Sequence, residues 1–271
     1  MKYGVQIFGC LPEFRRDPKG FLVRLESMGY GQVEPCVIFG REEDYPSSLW
    51  QRLWKPEEVP AFEEEMNQLG LKLSSCHVFA RELDSLGDQL LELAKNTSID
   101  TFVVNCPQSA LGPGYLEFAA ACRSLAAQLG QQGVSLWLHN GGPEIAARVE
   151  RDGQEITLLE AILQEAGEGL GAQIDTGWVL FGGIDPASFL QKLGSRVKSV
   201  HFKDMAPDCQ HRSGMDRFAV LGKGITDIPS VLRAIPSSVG SVLVDQDASQ
   251  GDFLQDLEDS LKALHREEVS L

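Results

Sequence analysis

Short apolar runs rich in β-branched residues alternate with longer amphipathic stretches along the whole chain. The runs predict strands at Tyr3–Phe8, Gln32–Cys36, Lys72–His77, Thr101–Asn105, Ser135–His139, Ala172–Asp175, Val197–His201 and Ser241–Asp245. Helical periodicity fills the intervals, at Asp17–Met28, Pro56–Leu69, Glu82–Asn96 and Tyr115–Leu129. It returns at Thr157–Glu165, Pro186–Leu193, Asp227–Ala234 and Phe253–His265. Eight such units in 271 residues average about 34 residues, the size of a βα repeat. Helix-to-strand connections are short and marked by glycine, at Gly29-Tyr30-Gly31, Gly70, Gly130, Gly167 and Gly194, where a left-handed residue ends a helix. Strand-to-helix connections are long at Val37–Lys55, Asn140–Ile156 and Lys203–Thr226. Long loops gathered on one side predict an α/β fold, a single (βα)8 TIM barrel with its active site at the C-terminal face of the strands. No Pro/Ser-rich linker or charge block divides residues 1–271, so one domain is expected. A doubly wound sheet would carry a glycine-rich phosphate turn after its first strand, and Phe8-Gly9-Cys10-Leu11-Pro12 is not one.

Composition narrows the partners. Lys and Arg number 24 against 39 Asp and Glu, a formal charge of −15, which argues against a nucleic-acid partner. No apolar run approaches the roughly 18 residues of a membrane span, and the opening MKYGVQIFGCLPEF lacks the apolar core of a secretion signal. A cytoplasmic address is expected. The six cysteines show neither CxxC nor zinc-knuckle spacing and read as reduced, packed thiols. Cys10, Cys36, Cys76 and Cys106 each fall at or just past a strand end, which places them near one rim.

Polar residues interrupt six of the eight strands at their C-terminal ends. They are Glu34, His77, His139 with Asn140, Asp175, His201 and Asp245. A carboxylate or imidazole at an inward strand position is costly unless it is paired or holds a cation. One alone reads as a helix cap or a hydrogen-bonded core histidine; six at one end of a barrel point to a shared site. Carboxylates mixed with imidazoles, without thiolate, suit a divalent ion such as Mn²⁺, Mg²⁺, Co²⁺ or Zn²⁺. The residues alone lead to metal-assisted proton transfer beside a carbonyl, on a small polyol-like substrate.

Five blocks carry a resemblance: MGYGQVEP (Met28–Pro35), LHNGGPEI (Leu138–Ile145), IDTGWVLFGGIDPASFLQKLGSRVKSVHFKDM (Ile174–Met205), LGKGITD (Leu221–Asp227) and VLVDQD (Val242–Asp247). In these the chain resembles the xylose isomerase-like TIM-barrel superfamily, in its sugar phosphate isomerase/epimerase branch. The resemblance implies a divalent-metal site with Glu144, Asp175, His201 and Asp245 as ligands. Asp245 stands where the family usually has glutamate, a loss of about 1.5 Å of reach. Gly141-Gly142-Pro143 replaces a stretch where relatives often carry a second histidine and an aromatic.

The resemblance further implies that Glu34, His77, His139, Asn140, Trp178, Lys203 and Asp247 bind substrate, Trp178 as a stacking face and Lys203 as a partner for developing oxyanion charge. Trp178 also reads as core or lid packing, Lys203-Asp204 as a rim ion pair, and Gly222-Lys223-Gly224 as a plain turn. The expected activity is isomerisation or epimerisation of a sugar or sugar derivative through an enediolate, with Glu144 and Asp245 removing and returning the proton. A metal-dependent dehydratase or lyase on an inositol-like or 3-keto sugar is the first alternative, since elimination needs one base and one acid. A catalytically inactive sugar-binding barrel is the second. DNA-repair relatives in the superfamily need a denser histidine set than the five present and a basic surface. Arg212 and Arg217 are candidate phosphate contacts, and family habit suggests a homo-oligomer, a dimer or tetramer, with Trp50 and Trp54 as candidate contacts or lid residues.

Overall fold

The computed structural model describes residues 3–269. Eight parallel strands form the centre: β1 (Tyr3–Gln6), β2 (Gln32–Glu34, continuing as Cys36–Ile38), β3 (Lys72–Leu73, continuing as Cys76–Phe79), β4 (Thr101–Asn105), β5 (Ser135–His139), β6 (Leu170–Asp175), β7 (Val197–Phe202) and β8 (Ser241–Asp245). Each pairs with the next in parallel register, from β1 with β2 through β7 with β8. β8 pairs back onto β1, Val5 opposite Val244 and Gln6 opposite Asp245. The sheet has no free edge, so it is the expected α/β barrel.

Two strands are broken at the same level. Pro35, which has no N–H to give a ladder, splits β2, and Ser74-Ser75 splits β3. Across this notch Ser74 N donates to Val33 O at 3.1 Å and His77 N to Pro35 O at 2.9 Å.

The helices wrap the barrel with their apolar faces inward, as the period of the sequence demands. Their starts are set by short polar side chains. Asp17 accepts from Gly20 N at 3.0 Å, Asp185 from Ser188 N at 2.8 Å, Asp227 from Ser230 N at 3.1 Å, and Thr157 forms a reciprocal box with Glu160. Gly29 closes helix Pro18–Met28 at φ 104°, a left-handed position that favours glycine.

The long loops carry structure that periodicity did not reveal. The stretch expected as a loop between Asn140 and Ile156 contains helix Gly142–Ala146 and an antiparallel hairpin, Arg148–Arg151 with Gln154–Thr157. A further helix, Thr176–Phe181, starts directly at the end of β6. Among the described residues, no helix is long and apolar enough to cross a membrane.

Candidate active site at the C-terminal mouth

Alternation along each strand puts every second side chain into the lumen. On β6 those are Gln173 and Asp175; on β7, Ser199 and His201. They meet Glu34 from β2, His77 from β3, His139 from β5 and Asp245 from β8, all buried. Three imidazole rings form a triangle, with centroids 4.8 Å (His77–His139), 5.4 Å (His77–His201) and 4.9 Å (His139–His201) apart.

Below the triangle lies a closed hydrogen-bond network. Glu34 Oε1 accepts from Ser75 Oγ and, at 2.8 Å, from Gln173 Nε2. With the Gln173 amide so oriented, its Oε1 accepts from His77 Nε2 at 2.7 Å, which fixes the proton of that ring on Nε2. His201 faces a carboxylate at each nitrogen, Glu34 Oε2 at 2.7 Å and Asp245 Oδ2 at 3.1 Å. Burial alone would lower the His201 pKa, but Glu34 first and then Asp245 raise it to about 10. Glu34, pushed up by burial, is held at about 2 by His201 and His77. His139 is held neutral, its pKa driven well down by burial and by the neighbouring His77, His201 and Lys203.

Lys203 supplies the second cation. Its Nζ lies 3.0 Å from Asp175 Oδ2, 2.9 Å from Asp245 Oδ2 and 2.7 Å from Asp247 Oδ2. Burial opposes its charge, and these three carboxylates more than offset that, raising its pKa well above the ordinary lysine value. Asp175 and Asp247 are raised by burial despite Lys203; Asp245 is held below the usual carboxylate range by Lys203 and His201.

Asp175 divides its two oxygens. Oδ1 accepts from Trp178 N at 2.9 Å and so caps helix Thr176–Phe181, which leaves Oδ2 aimed into the lumen. Asn140 fixes the same residue through the main chain: Asp175 N donates to Asn140 Oδ1 at 2.9 Å, and Asn140 Nδ2 to Asp175 O at 3.3 Å.

Among the described residues of this cluster, His139 Nε2 and Asp245 Oδ1 are buried without a hydrogen-bond partner, and Asp175 Oδ2 meets only the Lys203 ammonium, as an ion pair at 3.0 Å. His139, Asp175, His201 and Asp245 each bring one donor atom within 4.8 Å of the others. Orphaned lone pairs on converging imidazoles and carboxylates suit a divalent cation, so the residues present fit the metal that the sequence suggests. His77, His139 and His201 form an overlapping second set.

Several expected site residues sit elsewhere. Glu144 belongs to neither set; its carboxylate accepts from Gly141 N at 2.6 Å and caps its own short helix. His139, at the last position of β5, stands in the cluster instead. Glu34 and Asn140 lie beneath the cavity and hold neighbouring side chains and main chain rather than lining it. His77, His139, Trp178, Lys203, Asp245 and Asp247 do line it, and the cavity measures about 630 Å³. Of the two candidate phosphate ligands, Arg212 is exposed and turned to the main-chain oxygen of Pro207, while Arg217 lines the cavity wall. Trp54 is not a surface contact residue: it is buried and packs against Phe14 and Phe62. Gln173 and Ser75 were missed in the sequence. The signal for Gln173 was its place two residues before Asp175, on the same strand face. Ser75 lies at the break in β3, where alternation is lost.

A closed parallel barrel with histidines and carboxylates gathered at its C-terminal mouth defines a TIM-barrel protein with a polar catalytic-type floor. The xylose isomerase-like TIM barrel model matches residues 22–239, and the chain belongs to that family. Among solved structures it resembles a sugar phosphate isomerase/epimerase from Parabacteroides distasonis, at 16% identity and TM-score 0.74, over 97% of this chain and 93% of that one. It also resembles a probable 3-DHS dehydratase involved in petrobactin synthesis from Bacillus anthracis, at 13% identity and TM-score 0.70, over 98% and 99%. L-ribulose 3-epimerase is a third, at 12% identity and TM-score 0.66, over 100% and 97%. These likenesses are of fold. Among curated protein sequences none matches.

Proposed function

We propose that the protein is a divalent-metal-dependent isomerase or epimerase of a sugar or sugar derivative, which moves a proton at the carbon beside a carbonyl. The observation that carries this reading is the convergence of His139, Asp175, His201 and Asp245, with His139 Nε2 and Asp245 Oδ1 buried and without hydrogen-bond partners. These four residues would hold the ion, His201 giving up one of the two protons it shares with Glu34 and Asp245 in the metal-free protein. Bound there, a divalent cation polarises a carbonyl and acidifies the neighbouring C–H.

The chain's own groups supply the rest. Asp247 lines the cavity, and burial raises its pKa toward the working range of a general base. It accepts a hydrogen bond from Lys203 Nζ at 2.7 Å, so a proton taken by Asp247 has an ammonium beside it that stabilises the oxyanion left behind. Trp178 and Phe218 flank Lys203 Nζ at 5.5 and 5.4 Å from their ring centres. Their rings cover part of the ammonium and reduce the water around it, which strengthens its pull on Asp247.

Dehydration is the second reading, and the position of Glu144 favours it. With that carboxylate spent on Gly141 N, it does not stand opposite Asp247 as a second proton-transfer group, which leaves Asp247 to take a proton and the Lys203 ammonium to stabilise a departing oxygen. Elimination of a β-hydroxyl needs no more.

The test is metal stoichiometry followed by isotope exchange. Stripped protein titrated with Mn²⁺ or Zn²⁺ by calorimetry is expected to bind one ion per chain, and His201→Ala none. Keto sugars incubated in D₂O with the loaded protein should gain deuterium at one carbon; growth of an enone absorbance assigns the dehydratase. A wild-type protein that binds no ion, or a metal-free His201→Ala that remains active, overturns the proposal.

A further inference from the structure

Above the ionic floor the cavity changes character. Phe8, Tyr45, Phe79, Trp178 and Phe218 line its walls with aromatic rings, Leu83 and Val104 add aliphatic surface, and Asn105 and Arg217 are polar side chains of the same wall. Phe8 and Phe79 lie parallel, with centroids 5.7 Å apart and planes within 12°, and Arg52 covers the outer part of Phe8 at 4.3 Å, which anchors that ring. Trp178 meets Phe218 edge-on at 5.6 Å, so these walls are packed surfaces rather than loose side chains. The cavity of about 630 Å³ falls in the range that encloses a drug-sized ligand, with room beyond a hydroxy-carbonyl head seated at the floor. A second run of hydroxyls there would face mostly aromatic and aliphatic carbon and lose more water than Asn105 and Arg217 could replace.

We infer that the substrate is an α-hydroxy-carbonyl compound carrying a planar apolar substituent, with its polar head on the floor and its apolar ring between Phe79, Leu83 and Val104. This rests on the proposed reading of the floor as the site that takes a hydroxy-carbonyl group, and it names what the rest of the molecule must be. The walls favour a flat ring over a polyhydroxy chain: aromatic faces gain most from a ring laid against them, and the aromatic and aliphatic lining residues outnumber polar side chains such as Asn105 and Arg217.

Two α-hydroxyketones with different tails test it. 2-Hydroxyacetophenone carries a phenyl group where D-ribulose carries hydroxyls. Titrated by calorimetry into the Mn²⁺-loaded protein, the phenyl compound is expected to bind roughly 10- to 100-fold tighter, the worth of burying a Phe-sized group. Leu83→Asp and, separately, Val104→Asn should abolish most of that preference while leaving Mn²⁺ affinity unchanged, which also shows that the variants are folded. Equal affinity for the two compounds, tighter binding of D-ribulose, or no binding of either overturns the inference. If instead the metal reading alone is wrong, the phenyl preference persists in the stripped protein and Mn²⁺ leaves both affinities unaltered.

Discussion

At the scale of single residues the floor is a balance of buried charges, and its pH dependence follows from the two groups with the clearest shifts. The folded pKa of Glu34, about 2, lies below its ordinary 4.5, so its contribution to stability is full above about pH 4.5 and is lost as pH falls toward 2. His201 is raised from 6.5 to about 10, so its contribution is full below about pH 6.5 and is lost as pH rises through 10. Metal-stripped protein should therefore show a melting temperature that falls between about pH 6.5 and 10, and His201→Gln should flatten that decline. A wild-type profile already flat over this range would contradict the pairing. Glu34→Gln leaves the buried imidazolium without its closest anion and should cost roughly 3–5 kcal/mol in urea denaturation. The chemistry of these residues was legible from the sequence because a charged group at the end of an apolar strand has few structural uses. Their division of labour was not. Nothing in LHNGGPEI tells that His139 turns into the lumen while Glu144 turns back to its own helix, because that depends on where the chain leaves the barrel.

Elements explain why the floor keeps its shape. Asp204, just past β7, accepts from four main-chain N–H groups, those of Met205, Gly222, Gly224 and Thr226, each at 2.9 Å. This gathers the long loop back over the barrel, with Arg217 and Phe218 placed at the cavity wall. Gly224 has to be glycine, since a Cβ would stand 2.3 Å from both Asp204 Oδ1 and Met205 O. Asp204→Ala leaves several donors unpartnered and should lower stability by about 3 kcal/mol, with a matching loss of ligand affinity as the wall loosens. Helix Gly142–Ala146 makes the opposite case. Glu144→Gln disturbs one cap and should cost about 1 kcal/mol while metal affinity in calorimetry stays unchanged; a loss of the metal would return Glu144 to the ligand set. The barrel elements were readable in sequence: β4, β5 and β8 match their expected limits, because short apolar runs bounded by turn residues leave little choice. The short helices after β5 and β6 were hidden, as five or six residues give too few turns for periodicity to register.

The whole molecule is a closed cylinder whose net charge of −15 favours approach of cations over anions. If the mouth binds a divalent ion, loading couples to global unfolding. At a concentration near 100 times the dissociation constant, the ion adds about 2.7 kcal/mol, a rise in melting temperature of roughly 5–10 °C for a domain of this size. His201→Ala should show no such rise in the same calorimetric scan. The closed fold also gives meaning to the notch where β2 and β3 are both interrupted. Glu34, a fully buried anion of the floor, lies beside that gap; its bond from Ser75 adds to the main-chain bridges across the gap, and its bonds to Gln173 and His201 tie the β2 side of the floor to β6 and β7. The same carboxylate that balances the imidazolium is therefore also a rivet in the barrel wall. Weakening it loosens the floor and that stretch of wall together, so charge balance and closure of the cylinder fail as one.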